Sequence, residues 1–338
     1  MSRAQLTSTD QQNSGGPVSP FVAGKNKIIN GDFGIWQRGT SFSTSGNYTS
    51  DRWIVDSDAT FTASQQTFTP GSAPVSGYEG TYYLQIAKSS GGSYVDAKQR
   101  LEDVRVLAGQ TVTLSAWIQV SSGTASVQPY YNQYFGTGGS SGVAATVTAQ
   151  TVGTTWTRYS WTFVLPSISG KTIGTNSFTE IYLPRIVTSS AVTVSIWGVQ
   201  LEAGSVATPF TTASGTVQGE LALCQRYYEK RTVGGANYGT GINGLCLSSY
   251  FASTSVTFAT PKRVNPSASF GGNLNILGSS INQAVTSVSG VFGAGNSTSG
   301  YIGGDLNVSA ASGLVTNSAI WLRDNGAGTA YIEFSAEL

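Results

Sequence analysis

Two short stretches concentrate the residue types that recognise sugars. In the first, Asn26 to Trp53 (NKIINGDFGIWQRGTSFSTSGNYTSDRW), the rings of Trp36, Tyr48 and Trp53 lie close in sequence to Gln37, Arg38, Asp51 and Arg52. In the second, Pro129 to Phe135 (PYYNQYF), Tyr130, Tyr131, Tyr134 and Phe135 flank Asn132 and Gln133 and run into a glycine-rich GTGGSSG loop. A ring stacks on the apolar face of a pyranose, while Arg, Asp, Asn or Gln satisfies its hydroxyls. Tyr130, Tyr131, Tyr134, Trp36, Arg38 and Trp53 are therefore the candidates for carbohydrate contact. Structural roles compete with this reading, and in the first stretch they weigh more. Trp36 and Trp53 adjoin apolar neighbours and would plug the end of a β-sandwich, with Arg38 or Arg52 paired to Asp51 to fix a turn. In the second stretch, Tyr130, Asn132 and Tyr134 fall on one side of a strand and Tyr131 and Phe135 on the other, so one side belongs to a core.

Other chemistries are poorly provided for. The chain has no histidine, which removes His-based triads, His metal sites and the commonest general base. The carboxylates Asp51, Asp56, Asp58, Glu79, Glu102, Asp103 and Glu180 form no motif, whereas glycoside cleavage needs two of them about 5 to 10 Å apart. No phosphate-cradling loop, nucleophile elbow or metal-ligand cluster is present. A non-enzymatic protein is expected. Lys+Arg 18 against Asp+Glu 17 leave a net charge of +1, which supplies no footprint for nucleic acid and no arm for anionic membranes. No stretch approaches the ~20 apolar residues that span a bilayer. Cys224 and Cys246 are too few for a disulfide framework or a zinc site. They read as two buried thiols, with a single bridge as the alternative.

The scaffold for these candidates reads as all-β. The 42 glycines, with abundant Ser and Thr, suit turns, and the many Val, Tyr and Trp suit pleated surfaces. Residues 1–25 are polar and without period, and form an N-terminal arm expected to be extended and docked on another subunit. The arm lacks an apolar core of signal-peptide length, so folding in the cytoplasm is expected. Residues 26–210 carry a run of strands separated by Gly/Ser turns, which predicts a β-sandwich of the jelly-roll type. Val112, Leu114, Ala116, Ile118 and Val120 alternate with Thr111, Thr113, Ser115, Trp117 and Gln119, and Tyr159, Trp161, Phe163 and Leu165 form another period-2 face before Pro166. Val192, Val194 and Ile196 form a third such face, and the apolar phase shifts by one residue at Gly198, which predicts a bulge. Shorter strands fit near Trp53 to Val55, Phe61 to Ala63, Tyr82 to Ala87 and Ile181 to Ile186. Residues 211–234 hold a linker and one helix over Glu220 to Arg231, with Glu220 in its first turn, Lys230 and Arg231 in its last, and Gly234-Gly235 as its stop. Residues 235–338 return to β pattern and predict a second, smaller sandwich. Its turns include Gly293 to Gly300, and its clearest strand alternates Ala330, Ile332, Phe334, Ala336 and Leu338 with polar residues.

At this point particular segments resemble known proteins. IINGDFGIWQRGTSF followed by YTSDRW resembles the opening of a domain found in tailed-bacteriophage virion proteins. WGVQLEAGSVATPF (Trp197 to Phe210) is similar to that domain's closing strand, ELALCQRYYEK to the helix that follows it, and YIEFSAEL to C-termini in the same group. The matches bracket residues 26 to 231 and touch the end of the sequence. The opening and closing segments are also similar to jelly-roll carbohydrate-binding modules, in which the two lie side by side. Some of those modules hold a structural calcium near that seam, and Asp32 and Glu202 occupy the matching positions; no other cofactor is implied. The resemblance implies a virion structural protein, assembled in the host cytoplasm and exposed on the particle. It would be a tail fibre or tail adhesin contacting host surface glycans, or a capsid decoration or head-fibre protein clamping capsid subunits, or a polysaccharide-degrading tail enzyme. It further implies a homo-oligomer attached to other virion proteins through the arm.

Overall fold

The computed structural model describes residues 23–75, 78–232, 239–293, 301–326 and 328–338. Most of the arm, the Gly234-Gly235 stop and residues 294–300 of the Gly293 to Gly300 turn lie outside the described residues. Among the described residues the fold is all-β apart from one helix, and the paired strands are antiparallel throughout.

Two sheets form the first sandwich. One has six strands in the order Ser41–Phe42, Phe61–Thr67, Tyr82–Lys88, Val192–Ala203, Thr111–Val120 and Thr157–Val164. The facing sheet runs Val143–Thr146, Tyr130–Tyr134, Phe178–Val187, Tyr94–Glu102, Ile54–Ser57 and Asn47–Tyr48, with Ala125–Val127 and Gln150–Val152 attached at its side. Inward residues of both sheets, among them Leu84, Ile86, Val95, Ala97, Leu114, Ile118, Ile181 and Ile196, fill one core with Ile28 and Phe33. Alternation predicted this for Thr111–Val120 and Val192–Ala203. The second strand does shift register between Trp197 and Gln200. Gly198 there has φ +66, and a Cβ on it would lie 2.7 Å from the Trp117 ring. Only glycine meets both demands. The shift returns Val199 and Leu201 to the core side, while Trp197, just before it, faces the far side of the sheet with Trp117, Phe68 and Phe210 in a separate aromatic cluster.

The helix departs from expectation. It spans Val217–Gln225, and Thr216 caps it by accepting from the Gly219 amide at 3.0 Å. Its last turn contains no basic residue, because Lys230 and Arg231 belong to a strand, Tyr228–Thr232, paired with Tyr331–Ser335. Tyr-Tyr-Glu-Lys-Arg-Thr is helix-compatible by charge placement, but β pairing with the last strand offers Tyr228 and Glu229 buried positions that a continued helix would not. The second sandwich packs this three-stranded sheet, completed by Ser267–Gly271, against a seven-stranded one. Ile320, Leu322, Ile332, Phe334 and Phe258 lie between them. Cys224 and Cys246 are both buried free thiols.

Candidate functional site

The Asn26 to Trp53 stretch is a structural seam. The buried Asn26 side chain donates to the Val199 and Thr211 carbonyls, at 3.0 Å each, and accepts from the Ile28 and Leu201 amides. Backbone bonds from Lys27 to Leu201 and from Val199 to Gly31 complete the join to the closing strand. A Cβ on Gly31 would lie 2.2 Å from the Val199 carbonyl oxygen, so the Asn-Gly pair is required by close backbone approach. Asn30, also buried, bonds Ile35 and the Asp51 carbonyl through its side chain and shapes the following turn.

The polar groups of this stretch face the second sandwich. Arg52 is 1% exposed, donates to the Glu337 carboxylate and to the Arg100 carbonyl, and lies 3.5 Å from the centre of the Tyr227 ring. Arg38 pairs with Glu337 at 3.0 Å and with Asp51 at 3.6 Å, and stacks over Tyr228 at 3.5 Å. Tyr48 donates to the Leu338 carbonyl oxygen at 3.2 Å. Arg226 and Tyr227 bond Glu102, and Arg263 reaches Asn176. Burial is the largest influence on Asp51 and pushes its pKa up to about 6, against the opposing pull of Arg38. This is a joint between bodies.

The six candidate residues thus part company. Trp53 is 1% exposed, with its indole N–H on the Asn30 carbonyl and its ring against Phe33, so it is a core residue with no face for a sugar. Arg38 is consumed by the joint. Trp36 is half-buried, donates to the Phe33 carbonyl and stacks on Phe42, apart from the others. Tyr131 faces the core, stacked on Phe163 with a 3° interplanar angle. Tyr130 and Tyr134 point the other way, onto the outer side of the eight-stranded sheet, where Tyr134 is 37% exposed.

That outer side carries a layer of rings and paired charges. Register places Tyr130, Tyr182 and Lys98 in one row across three strands, and Tyr134, Phe178 and Glu102 in another. Arg185 opposes Asp96, which opposes Asp56. Tyr130 and Tyr182 meet edge to face at 5.0 Å, and Tyr134 and Phe178 meet tilted by 38° at 4.9 Å. Arg185 pairs with Asp96 at 3.2 Å and lies 5.1 Å from the Tyr130 ring. Arg100 pairs with Glu180 at 2.9 Å, and Lys98 bonds Asp56. Tyr182 donates to Glu180 at 2.6 Å. Burial, its largest influence, raises the Asp96 pKa to about 7, with Asp56 adding to the rise and Lys98 and Arg185 opposing it.

Asp96, Lys98 and Arg100 of this layer come from a strand whose sequence pattern gives no clear signal. Tyr94–Glu102 alternates Val95, Ala97, Gln99 and Leu101 inward with Asp96, Lys98 and Arg100 outward. Gln99 is fully buried and bonds both the amide and the carbonyl of Ile29. A polar residue and an alanine on the core side hide the period; the charged alternation on the other side was the available clue.

The two carboxylates matched to a calcium seam are engaged separately. Glu202 accepts from Gln200, from the Thr208 amide and hydroxyl, and faces Lys25 at 3.5 Å. Asp32 accepts from Tyr78 at 2.9 Å, and burial, the largest influence, raises its pKa. It lines a cavity of about 470 Å³ with Tyr78, Glu79, Tyr82 and Glu220. No group of three or more Cys, Asp or Glu placed to hold a metal occurs among the described residues. Nor is any helix among them long and apolar enough to cross a membrane.

No protein-family profile matches the chain, and no curated protein does. Solved structures do align with it at low similarity. The CBM22-1 xylan-binding domain from Paenibacillus barcinonensis is 14% identical and covers 55% of this chain and 98% of its own, with a TM-score of 0.33. The enzymatically active domain of tailspike protein 4 of bacteriophage CBA120 is 15% identical over 55% of this chain and 22% of its own, also with a TM-score of 0.33. The family 11 carbohydrate-binding module from Clostridium thermocellum is 10% identical over 50% of this chain and 98% of its own, with a TM-score of 0.31.

Proposed function

We propose that this chain is a non-enzymatic structural protein of a bacteriophage virion, a tail fibre or tail adhesin, and that it contacts host surface glycans. The contact surface is the outer face of the eight-stranded sheet. The observation that carries this reading is the layer formed by Tyr130, Tyr134, Phe178 and Tyr182 around Arg185, Lys98 and Asn132. Rings held by contact with one another offer apolar surfaces, and the paired charges between them offer fixed donors and acceptors for sugar hydroxyls. Each contact is weak, and a homo-oligomer would gain avidity by repeating it. The virion assignment rests on the sequence resemblance of the opening, closing and helix segments.

The test uses the full chain and host lipopolysaccharide and capsular polysaccharide immobilised on a sensor surface. Binding should be measurable, and Tyr182→Ala should abolish it while leaving the melting profile in place. No binding by the wild type, together with release from phage heads when residues 1–24 are removed, would replace the adhesin with a capsid decoration protein. Reducing sugar liberated from either polysaccharide, and lost on substituting Asp96 or Glu180, would establish an enzyme instead.

A further inference from the structure

Resting on the reading of the sheet face as a glycan surface, we infer that the ligand is an uncharged saccharide, and that the Asp96–Arg185 pair is what excludes acidic ones. Each cation of this face has a carboxylate partner: Lys98 has Asp56, with Glu180 at 4.0 Å, Arg100 has Glu180 and Arg185 has Asp96. An acidic sugar needs an unmatched cation, because a carboxylate brought beside an existing ion pair meets attraction and repulsion of similar size. A neutral sugar needs no spare charge. It takes ring faces and polar groups whose positions are already fixed, which Tyr130, Tyr182 and Tyr134 and the paired Arg185 and Lys98 provide.

Arg185 decides the matter because it is the cation set between two rings, 5.1 Å from Tyr130 and 5.9 Å from Tyr182. A sugar stacked on either ring would lie beside its guanidinium. Asp96 is 1% exposed and pairs with Arg185 from the neighbouring strand, so when ionised it neutralises the guanidinium without itself meeting the ligand. Asp96 is thus a positioning and specificity residue. Replacing it with the isosteric amide keeps the shape and leaves Arg185 charged and unmatched.

The experiment measures affinity by calorimetry at about pH 8.5, above the Asp96 pKa of about 7 so that Asp96 is ionised, for xylohexaose, cellohexaose and mannohexaose against hexagalacturonate and sialyllactose, from about 50 to about 300 mM NaCl. Wild-type protein should bind a neutral oligosaccharide with little dependence on salt, and acidic ones at least about tenfold more weakly. Asp96→Asn should bind an acidic oligosaccharide about tenfold better than wild type, with the gain lost at the higher salt. Wild-type preference for the acidic ligands overturns this inference and leaves the glycan reading standing. No change in acidic binding by a folded Asp96→Asn variant also overturns it. Binding of none of these or of the host polysaccharides removes the glycan reading itself, and this inference with it.

Discussion

Removing the Glu337 carboxylate should loosen the joint between the two sandwiches. Glu337 is the shared partner of Arg38 and of Arg52, and Arg52 is 1% exposed. In Glu337→Ala, Arg52 keeps its bond to the Arg100 carbonyl and its place over Tyr227 but loses its countercharge, and its Nε already lacks a partner. Breaking a buried pair by removing one member typically costs about 3–5 kcal/mol, since the remaining charge stays desolvated. Part of the Arg38 interaction adds to this, discounted because Arg38 is 13% exposed and retains Asp51. At roughly 3–5 °C per kcal/mol for bodies of this size, the second sandwich should melt about 10 °C lower or more, as a transition separated from the first. Differential scanning calorimetry reads this directly, and limited proteolysis near Gln225 to Arg231 should accelerate in parallel. The double variant Arg52→Met with Glu337→Leu removes both charges and should recover most of the loss. An unsplit, wild-type melt in Glu337→Ala would refute the reasoning, as would a double variant no better than the single one.

Three further outcomes follow from the same structure. Gly31→Ala puts a methyl carbon against the Val199 carbonyl oxygen, and urea titration should show a loss of at least about 2 kcal/mol because backbone must move. Trp53→Ala empties a site in the first core and should cost about 3–5 kcal/mol, whereas Trp36→Ala, half-exposed, should cost less than half of that by the same measurement. The folded-state pKa values of Asp51 and Asp96, about 6 and about 7, lie above the ordinary carboxylate value near 4. The folded protein therefore holds more protons than the unfolded chain between about pH 4 and pH 7, and stability should fall as pH rises through that window. Melting at pH 5 above that at pH 7.5, with the difference reduced in Asp96→Asn, is the expected result; the opposite order would contradict it.

How much of this was legible in the sequence depends on which face of a strand was being read. Inward faces made of Val, Leu and Ile announced themselves in Thr111–Val120 and Val192–Ala203, and the phase change at Gly198 marked the bulge correctly. Tyr94–Glu102 was hidden because Gln99 satisfies its hydrogen bonds inside the core, a compensation that depends on Ile29, seventy positions away in the chain. Lys230 and Arg231 suit the end of a helix by charge, but their strand partner lies about a hundred residues later, at Tyr331–Ser335, beyond the reach of local pattern. The sugar candidates split for a related reason. Strand alternation separated Tyr130 and Tyr134 from Tyr131, but the diversion of Arg38 and Arg52 to Glu337 is a contact across almost the entire chain, which local pattern does not encode.

The Arg52–Glu337 pair spans 285 positions, and this bears on the order of events at the ribosome. The first sandwich emerges well before residue 337 is made, so its two arginines must wait in water or against temporary partners while it acquires its core. Only when the last strand has threaded in beside Tyr228–Thr232 does Glu337 arrive and draw Arg52 out of solvent. Closing so long a loop is slow relative to forming either sandwich. The joint therefore sets late in folding, and in a nascent chain stalled before residue 337 Arg38 and Arg52 lack the carboxylate they share.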